Sequence, residues 1–204
     1  MLLPEILSRV ALFALALAMP IVAAAAEGEA NAIFLVASRD LKDPNFRETV
    51  VLVTQPHKGG PWGVIINRPL DHRLSEVFTD QESLKGSKDV LFFGGPVARE
   101  GLVFIVRSPS PPPRSAALLR DVYFTGDIEW IEAQFKRPEP TRGMRVYAGY
   151  AGWAPGQLQR EMEGGGWHVQ PADAETVFEK EPARIWPELI ERATAKQASA
   201  KGAR

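Results

Sequence analysis

Short runs of strand-forming residues recur along this chain, and they restrict its fold more than any other feature. Several runs are apolar at consecutive positions, as in strands buried on both faces, and turn-forming residues separate them. Helical patterns are fewer and do not alternate regularly with the runs, which disfavours a doubly wound parallel fold. The sequence therefore predicts a single compact α+β domain. Its predicted strands are 33–37, 50–54, 63–67, 90–93, 102–106 and 144–150, with weaker candidates at 121–125 and 166–170. The proline-rich stretch 107–115 is predicted to be a stiff surface loop.

Three helices are predicted around these strands. Asp127 is placed to cap a helix with an apolar stripe, Asp173 is placed to cap a short helix, and a third helix near Pro182 closes the domain. The domain is predicted to span 33–194. The chain becomes rich in Ala and Lys after that point, so we expect the tail 195–204 to fray.

Composition narrows the classes of function. The 204 residues are 45% hydrophobic and 24% charged, which is ordinary for one globular domain. A net charge of -1 and a pI near 6.3 argue against a nucleic-acid partner, because non-specific binding to phosphates requires clustered Lys and Arg. The absence of cysteine excludes disulfides, thiolate catalysis and cysteine-based metal sites.

Residues 1–26 have the pattern of a secretory signal peptide. An apolar run leads to small residues at Ala24 and Ala26, so cleavage after Ala26 is predicted, followed by a short linker at 27–32. The cleaved chain is expected in the periplasm or outside the cell, with no stable membrane span. Two alternatives stay open: an uncleaved membrane anchor, although Pro20 interrupts the run, and a later start codon that leaves the protein in the cytoplasm.

One glycine-rich stretch, YAGYAGWAPGQLQREM at 147–162, has the arrangement of a strand followed by a tight turn and a short helix. Such a turn can present a catalytic nucleophile, but no Ser, Thr or Cys lies between Gly149 and Gly156. It can also bind phosphate, but no Lys follows the glycines, and Pro155, placed like the first residue of a helix, lacks an N–H group. We therefore expect a packed corner in which Trp153 fills apolar space.

Five residues are the candidates for a pocket. Asn67 and Arg68 end a predicted strand, and if they meet Trp153 they would face a cleft that binds a carboxylate or a phosphate. Gln157 and Glu161, four residues apart on one helix face, would line the same cleft. The alternative is structural: Asn67 caps a turn, Arg68 forms a surface ion pair, and the face with Gln157 and Glu161 is solvated.

No group of residues identifies a reaction. His57, His72 and His168 lack the spacing of a metal site, and the sequence contains no motif for a nucleophile, a metal or a cofactor. We therefore predict no catalytic residue, no metal and no cofactor. A hydrolase built from carboxylates distant in sequence stays open as an alternative, because such groups leave no local pattern.

Four segments carry a family resemblance. FLVASRDLKDPNFRETVVLV, GPWGVIINRPL, FFGGPV and YAGYAGWAPGQLQREM, followed by WHVQPAD, occur in this order and resemble the YqgE/AlgH family of largely uncharacterised bacterial proteins. The resemblance implies a curved, barrel-like mixed sheet flanked by helices. It implies no settled reaction, although some members are labelled transcriptional regulators. The matching positions are the five candidate pocket residues together with Asp43, Pro44, Phe46, Pro69, Gly94, Gly95, Pro96, Gly149, Tyr150 and Gly152.

The leading hypothesis from the sequence is an exported, non-enzymatic binding or accessory protein with an unidentified ligand or protein partner. It rests on polar groups at glycine-rich strand ends and on the lack of a catalytic motif. The alternative from another class is a cytoplasmic regulator of gene expression, which requires a later start codon. Binding to DNA that weakens steeply with salt would distinguish a regulator from a binding protein.

Overall fold

A ten-stranded sheet curls around the interior of the domain, and helices flank it. The structure is a computed structural model that describes residues 31–56 and 59–202. The predicted signal peptide, most of the predicted linker and His57 lie outside these ranges. The strands are β1 (Ile33–Ala37), β2 (Val50–Thr54), β3 (Trp62–Ile65), β4 (Pro69–Arg73), β5 (Val90–Phe93), β6 (Val97–Arg107), β7 (Ser115–Leu119), β8 (Val122–Thr125), β9 (Met144–Gly152) and β10 (Trp167–Pro171).

Strand β9 lies at the centre of the sheet. The strand order is β10-β1-β2-β3-β9-β6-β8-β7, and β4 and β5 form a side branch in which β5 also pairs with β9. The pairs are antiparallel except for β5 with β9, where Phe92 lies opposite Tyr147. The curvature of the sheet brings the start of β1 close to β7, the last strand in this order. There the amide of Ala32 donates a hydrogen bond to the carbonyl of Leu118 at 3.0 Å. The predicted α+β class and the curved mixed sheet are confirmed.

All eight predicted strands are present, with small changes of boundary. Strand β3 ends at Ile65, before the predicted end at Asn67. The sequence predicts neither β4 nor β7. Strand β4 has the polar sequence PLDHR, and β7 is a short strand at the edge of the sheet that follows a run of prolines. Neither strand has the apolar pattern that identifies the others.

The predicted helices are present, and two shorter elements join them. The described helices are α1 (Leu74–Val77), α2 (Ile128–Phe135), α3 (Gln157–Glu163), α4 (Ala174–Phe178) and α5 (Pro182–Gly202), with a 3₁₀ turn at Glu82–Leu84. Asp173 caps α4 as predicted, since its carboxylate accepts a hydrogen bond from the Thr176 amide at 2.7 Å. Helix α5 continues past Thr194 to Gly202 through residues that favour helix, and fraying of this tail stays a prediction. Over the described ranges, no helix combines the length and the apolar character needed to cross a membrane.

Strands β1 to β3 are buried on both faces, which explains why their sequences are apolar at consecutive positions. One face packs in the interior against β9 and α5, and the other packs against the corner between β9 and α3. The interior cluster includes Phe34, Val36, Leu52, Val64, Tyr147, Ile185 and Ile190. The cluster on the opposite face includes Leu35, Val51, Ile65, Trp153, Leu158 and Trp167.

Replacement of Asp127 tests the cap of α2. The carboxylate, on a residue that is 7% exposed, accepts hydrogen bonds from the Trp130 amide at 2.9 Å and the Arg114 guanidinium at 3.0 Å. We expect Asp127→Ala to lower the free energy of unfolding by about 1–2 kcal/mol, as loss of a helix cap usually does. Urea unfolding measures the loss. Asp127→Asn is the control, since its amide oxygen still accepts the Trp130 bond, and we expect it to lose less.

The same residue makes stability depend on pH. The Arg114 guanidinium, together with the Trp130 amide, holds the pKa of Asp127 below its ordinary value. A carboxyl group of this kind stabilises the fold above its unfolded pKa, which is about 3.9, and loses that contribution as pH falls through the folded pKa. We therefore expect the stability difference between wild type and Asp127→Ala to shrink below about pH 4. A constant difference between about pH 7 and about pH 3 would contradict this.

Candidate functional site

The glycine-rich segments after β5 and within β9 pack directly against each other. The amide of Gly94 donates a hydrogen bond to the carbonyl of Ala148 at 2.8 Å. A Cβ atom at Gly94 would lie 2.2 Å from the carbonyl oxygen of Gly149. Gly149 has a φ of +68°, and a Cβ atom there would lie 2.6 Å from the carbonyl oxygen of Gly95. Only glycine allows this contact between backbones, so the two motifs form one structural feature.

The other motif residues of these strands lie around that contact. Pro69 begins β4, and Pro96 follows Gly95 directly before β6. Tyr150 lies opposite Val97 in the pairing of β9 with β6. A Cβ atom at Gly152 would meet the ring of Tyr150, at 3.2 Å, and no backbone atom of the described residues within 4 Å. Gly152 is therefore less restricted than Gly149.

The helix of the strand-to-helix corner begins two residues later than the sequence predicts. Gly156, with a φ of +73°, is the residue before the first helical residue of α3, so Pro155 does not occupy the first helical position. The side chain of Gln157 stabilises the turn instead, because its Oε1 atom accepts a hydrogen bond from the Ala154 amide at 3.1 Å. The corner is packed as predicted, and Trp153 is only 7% exposed.

Glu161 holds this corner together through hydrogen bonds to neutral donors. Its Oε2 atom accepts from the indole nitrogen of Trp153 at 3.0 Å and from that of Trp167 at 2.9 Å. Its Oε1 atom accepts from the amide nitrogen of Gln157 at 2.9 Å. Gln157 and Glu161 therefore share one helix face as predicted. The face is half-buried, and its carboxylate bonds to the packed indoles.

Asn67 and Arg68 hold the loop formed by residues 38–48, called the 38–48 loop below. Asn67 accepts a hydrogen bond from the Val50 amide at 2.8 Å and donates one to the Glu48 carbonyl at 3.0 Å. The guanidinium of Arg68 donates to the carbonyls of Asn45 at 2.7 Å and Arg47 at 3.1 Å. The expected surface ion pair of Arg68 is therefore replaced by bonds to backbone carbonyls.

Positive charge is concentrated beside this loop. Burial lowers the pKa of Arg68 below its ordinary value, and the nearby positive charge of Arg47 lowers it further, against an opposing effect of Glu48. The guanidinium groups of Arg68 and Arg99 both lie over the ring of Phe93, at 5.8 Å and 5.3 Å from its centroid. An anion bound near Arg47 would offset the repulsion between these cations.

Phe46 connects the two groups of candidate residues. Its ring stacks on Trp153 with centroids 6.2 Å apart and meets the edge of Trp167 at 5.7 Å. The turn that presents Phe46 begins at Asp43, whose carboxylate accepts a hydrogen bond from the Asn45 amide at 2.8 Å, and it includes the motif residue Pro44. The five candidate pocket residues thus lie near one loop, and their polar groups bond to the protein.

A cleft of about 300 Å³ lies on the solvent side of the 38–48 loop. It carries three cations and one carboxylate, and none of the five candidate pocket residues lines it. The side chains of Lys42 and Arg47 are exposed and make no hydrogen bond or ion pair within the described part of the chain. Glu48 has a φ of +57°, an uncommon conformation that the bond from Asn67 stabilises. The residues that line the cleft are Ser38, Arg39, Leu41, Lys42, Arg47 and Glu48.

Reasoning from the sequence missed these cleft residues. The stretch SRDLKDPNFRE mixes cations and carboxylates at irregular spacing, so no pattern distinguishes its cations from ordinary solvated surface charges. The only available signal was the position of the motif residues Asp43, Pro44 and Phe46 between Lys42 and Arg47.

Comparisons with known proteins agree with this fold. The model of the AlgH-like family (DUF179) matches residues 34–198. A UPF0301 protein of Streptomyces coelicolor is 35% identical over 164 residues, covering 78% of this chain and 83% of that protein. A UPF0301 protein of Methylococcus capsulatus is 39% identical over 158 residues, covering 75% of this chain and 83% of that protein.

Solved structures show the same fold at low sequence identity. The solution structure of the AlgH protein from Pseudomonas aeruginosa has a TM-score of 0.66 at 23% identity, covering 89% of this chain and 97% of that chain. A crystal structure of a Corynebacterium diphtheriae protein has a TM-score of 0.64 at 24% identity, covering 80% and 86%. The family match, the UPF0301 relatives and the shared fold lead to one conclusion: this chain belongs to the AlgH-like family of uncharacterised UPF0301 proteins.

Proposed function

We propose that this protein is a non-enzymatic, exported binding or accessory protein whose 38–48 loop binds a small anion, a carboxylate or a phosphate. The observation that carries the proposal is the cleft on that loop, where three cations face one carboxylate. The excess of positive charge attracts an anion, and the cleft volume of about 300 Å³ suits a small ligand.

The support of the loop favours binding without large rearrangement. Asn67 and Arg68 bond to its backbone from one side, and Phe46 packs against the indole cluster on another. A loop held in this way loses little conformational entropy when a ligand binds. Asn67 and Arg68 therefore position the site, whereas Lys42 and Arg47 contact the anion.

Removal of the two exposed cations tests the proposal. We expect Lys42→Ala/Arg47→Ala to weaken binding of inorganic phosphate or acetate at least about tenfold, because each lost charge-assisted hydrogen bond is worth about 1.5–3 kcal/mol. Isothermal titration of the full chain at low salt measures both affinities.

A matched control removes the same charges elsewhere. Lys136 and Arg137 are exposed at the end of α2, and their side chains make no hydrogen bond or ion pair among the residues described. Lys136→Ala/Arg137→Ala is expected to change the affinity less than about twofold. Equal losses in the two double variants, or no binding to wild type, would contradict a site at the 38–48 loop.

Export is the second part of the proposal, and residues 1–26 motivate it. The N-terminal mass of the protein from periplasmic and cytoplasmic fractions of its host tests this part. A periplasmic species that starts near Glu27 is the expected result. A cytoplasmic species that starts at Met19 or later would contradict export and favour the regulator of gene expression.

A further inference from the structure

A second, larger cleft lies at the opposite end of β9 from Trp153. Its volume is about 640 Å³, roughly twice that of the first cleft, and it falls in the range of small-molecule sites. The first residues of β9, the end of β6 and the C-terminal end of α4 form its walls. Met144 and Phe178 give it an apolar part, and Met144 is buried.

The charges of this cleft differ from those of the first. Three arginines and three carboxylates line it, so opposite charges are balanced within one concave surface. Arg107 bonds to Glu179 at 3.0 Å and also to Asp121, which lies outside the lining, at 2.6 Å, and Arg142 bonds to Glu139 at 2.7 Å. These two ion pairs form part of the walls, and the opposite charges within each pair neutralise each other. One cation and one carboxylate of the lining, Arg145 and Asp89, lie outside these pairs.

The guanidinium of Arg145 is held in place by its contacts, and one of its nitrogens has no hydrogen-bond acceptor among the described residues. Its guanidinium lies over the ring of Phe92 at 5.3 Å, and its Nη2 atom donates to the carbonyl of Phe178 at 2.7 Å. Its Nε atom is 3.5 Å from the carbonyl of Val177. No acceptor bonds to Nη1 anywhere in residues 31–56 and 59–202. A fixed guanidinium with a spare N–H group is suited to a carboxylate.

Asp89 has the complementary arrangement. Its Oδ2 atom accepts hydrogen bonds from the hydroxyls of Ser87 and Thr141, which hold the carboxylate in one orientation. Its Oδ1 atom accepts no hydrogen bond within the described parts of the chain. A half-buried carboxylate with one spare oxygen is suited to an ammonium group.

We propose that this cleft binds a small zwitterion of the amino-acid or short-peptide class, with its carboxylate at Arg145, its ammonium group at Asp89 and an apolar side chain near Met144 and Phe178. Balanced charge disfavours a polyanion or a polycation, since either would meet three like charges. This site is separate from the 38–48 loop and takes a different class of ligand.

Three related probes distinguish the roles of the two charges. Glycyl-leucine carries both charges, N-acetylglycyl-leucine only the carboxylate, and glycyl-leucinamide only the ammonium group. In isothermal titrations of the full chain, we expect glycyl-leucine to bind at least about tenfold more tightly than either blocked form. Equal affinities for the three probes, or no binding of glycyl-leucine up to about 10 mM, would overturn the proposal.

Asp89→Asn tests the ammonium contact in the folded protein. The amide keeps the shape of the side chain and removes its negative charge. We expect the affinity for glycyl-leucine to fall to about that of the N-acetyl form, whose own affinity stays unchanged. Asp80→Asn is the matched control, because Asp80 is exposed and its side chain has no partner in the described structure. Equal losses in both variants would overturn the proposal.

Two further measurements keep the result interpretable. Urea unfolding of Asp89→Asn shows whether the variant is folded. If it is not, Arg145→Gln tests the carboxylate contact, and glycyl-leucine is then expected to bind no more tightly than glycyl-leucinamide. Lys42→Ala/Arg47→Ala is expected to leave glycyl-leucine binding unchanged. Loss of that binding in the double variant would contradict a separate site, so the two proposals fail independently.

Discussion

Replacing Gly149 by alanine is expected to lower the free energy of unfolding by about 3–4 kcal/mol, the largest loss we predict for a single methyl group. The new Cβ atom would lie 2.6 Å from the carbonyl oxygen of Gly95 and 2.7 Å from that of Val97, and both are backbone atoms that cannot rotate away. The φ of +68° adds strain. Because β9 pairs with β3, β5 and β6, the displacement would reach the centre of the sheet.

Gly165→Ala is the matched control. Gly165 has a φ of +76°, and no atom of the described residues lies within 4 Å of a Cβ atom built there. This variant carries the backbone strain without the collision, so we expect a loss of about 1–2 kcal/mol in the same urea unfolding experiment. Equal losses at the two positions would mean that the contact between the glycine-rich segments does not stabilise the fold.

Glu161→Ala is expected to lower the free energy of unfolding by about 3 kcal/mol, because three donors lose their acceptor. Two of them are indole N–H groups on Trp153 and Trp167, residues that are 7% and 5% exposed. Water reaches such groups poorly, so the missing bonds are not replaced. Urea unfolding followed by tryptophan emission measures the loss.

Glu163→Ala is the control on the same helix. Glu163 is exposed, and among the described residues its carboxylate accepts a hydrogen bond only from Gln159, which is also on the surface. We expect that variant to lose less than about 0.5 kcal/mol. Glu161→Gln should fall between the two, since it retains one acceptor oxygen for the indoles. If Glu161→Ala were as stable as Glu163→Ala, the carboxylate would not hold the corner.

The strands with an apolar pattern could be predicted, and those without one could not. Strands β1, β2 and β3 are buried on both faces, and that burial appears in the sequence as consecutive apolar residues. Strand β4 alternates exposed and half-buried residues and has no fully buried one, so its pairing with β5 depends on a partner distant in sequence. The helix caps were also predictable, because Asp127 and Asp173 act on amides three residues away.

The five candidate pocket residues stay a prediction, and the cleft on the 38–48 loop is lined by other residues. Asn67, Arg68 and Trp153 do surround one loop, and the motifs that contain them point to that region. Whether the guanidinium of Arg68 faces a ligand or a backbone carbonyl depends on Asn45, more than twenty positions earlier in the chain. No local pattern contains that information, nor does any pattern single out Lys42 and Arg47 among the charged residues.

The pairing of β1 with both β2 and β10 has a consequence for synthesis on the ribosome. Strand β2 follows β1 closely, but β10 emerges only after nearly the whole domain has been made. Until then, one edge of β1 has unpaired backbone groups, and an open edge of an apolar strand can pair with another chain. The nascent protein is therefore expected to need protection by a chaperone until its last strand arrives.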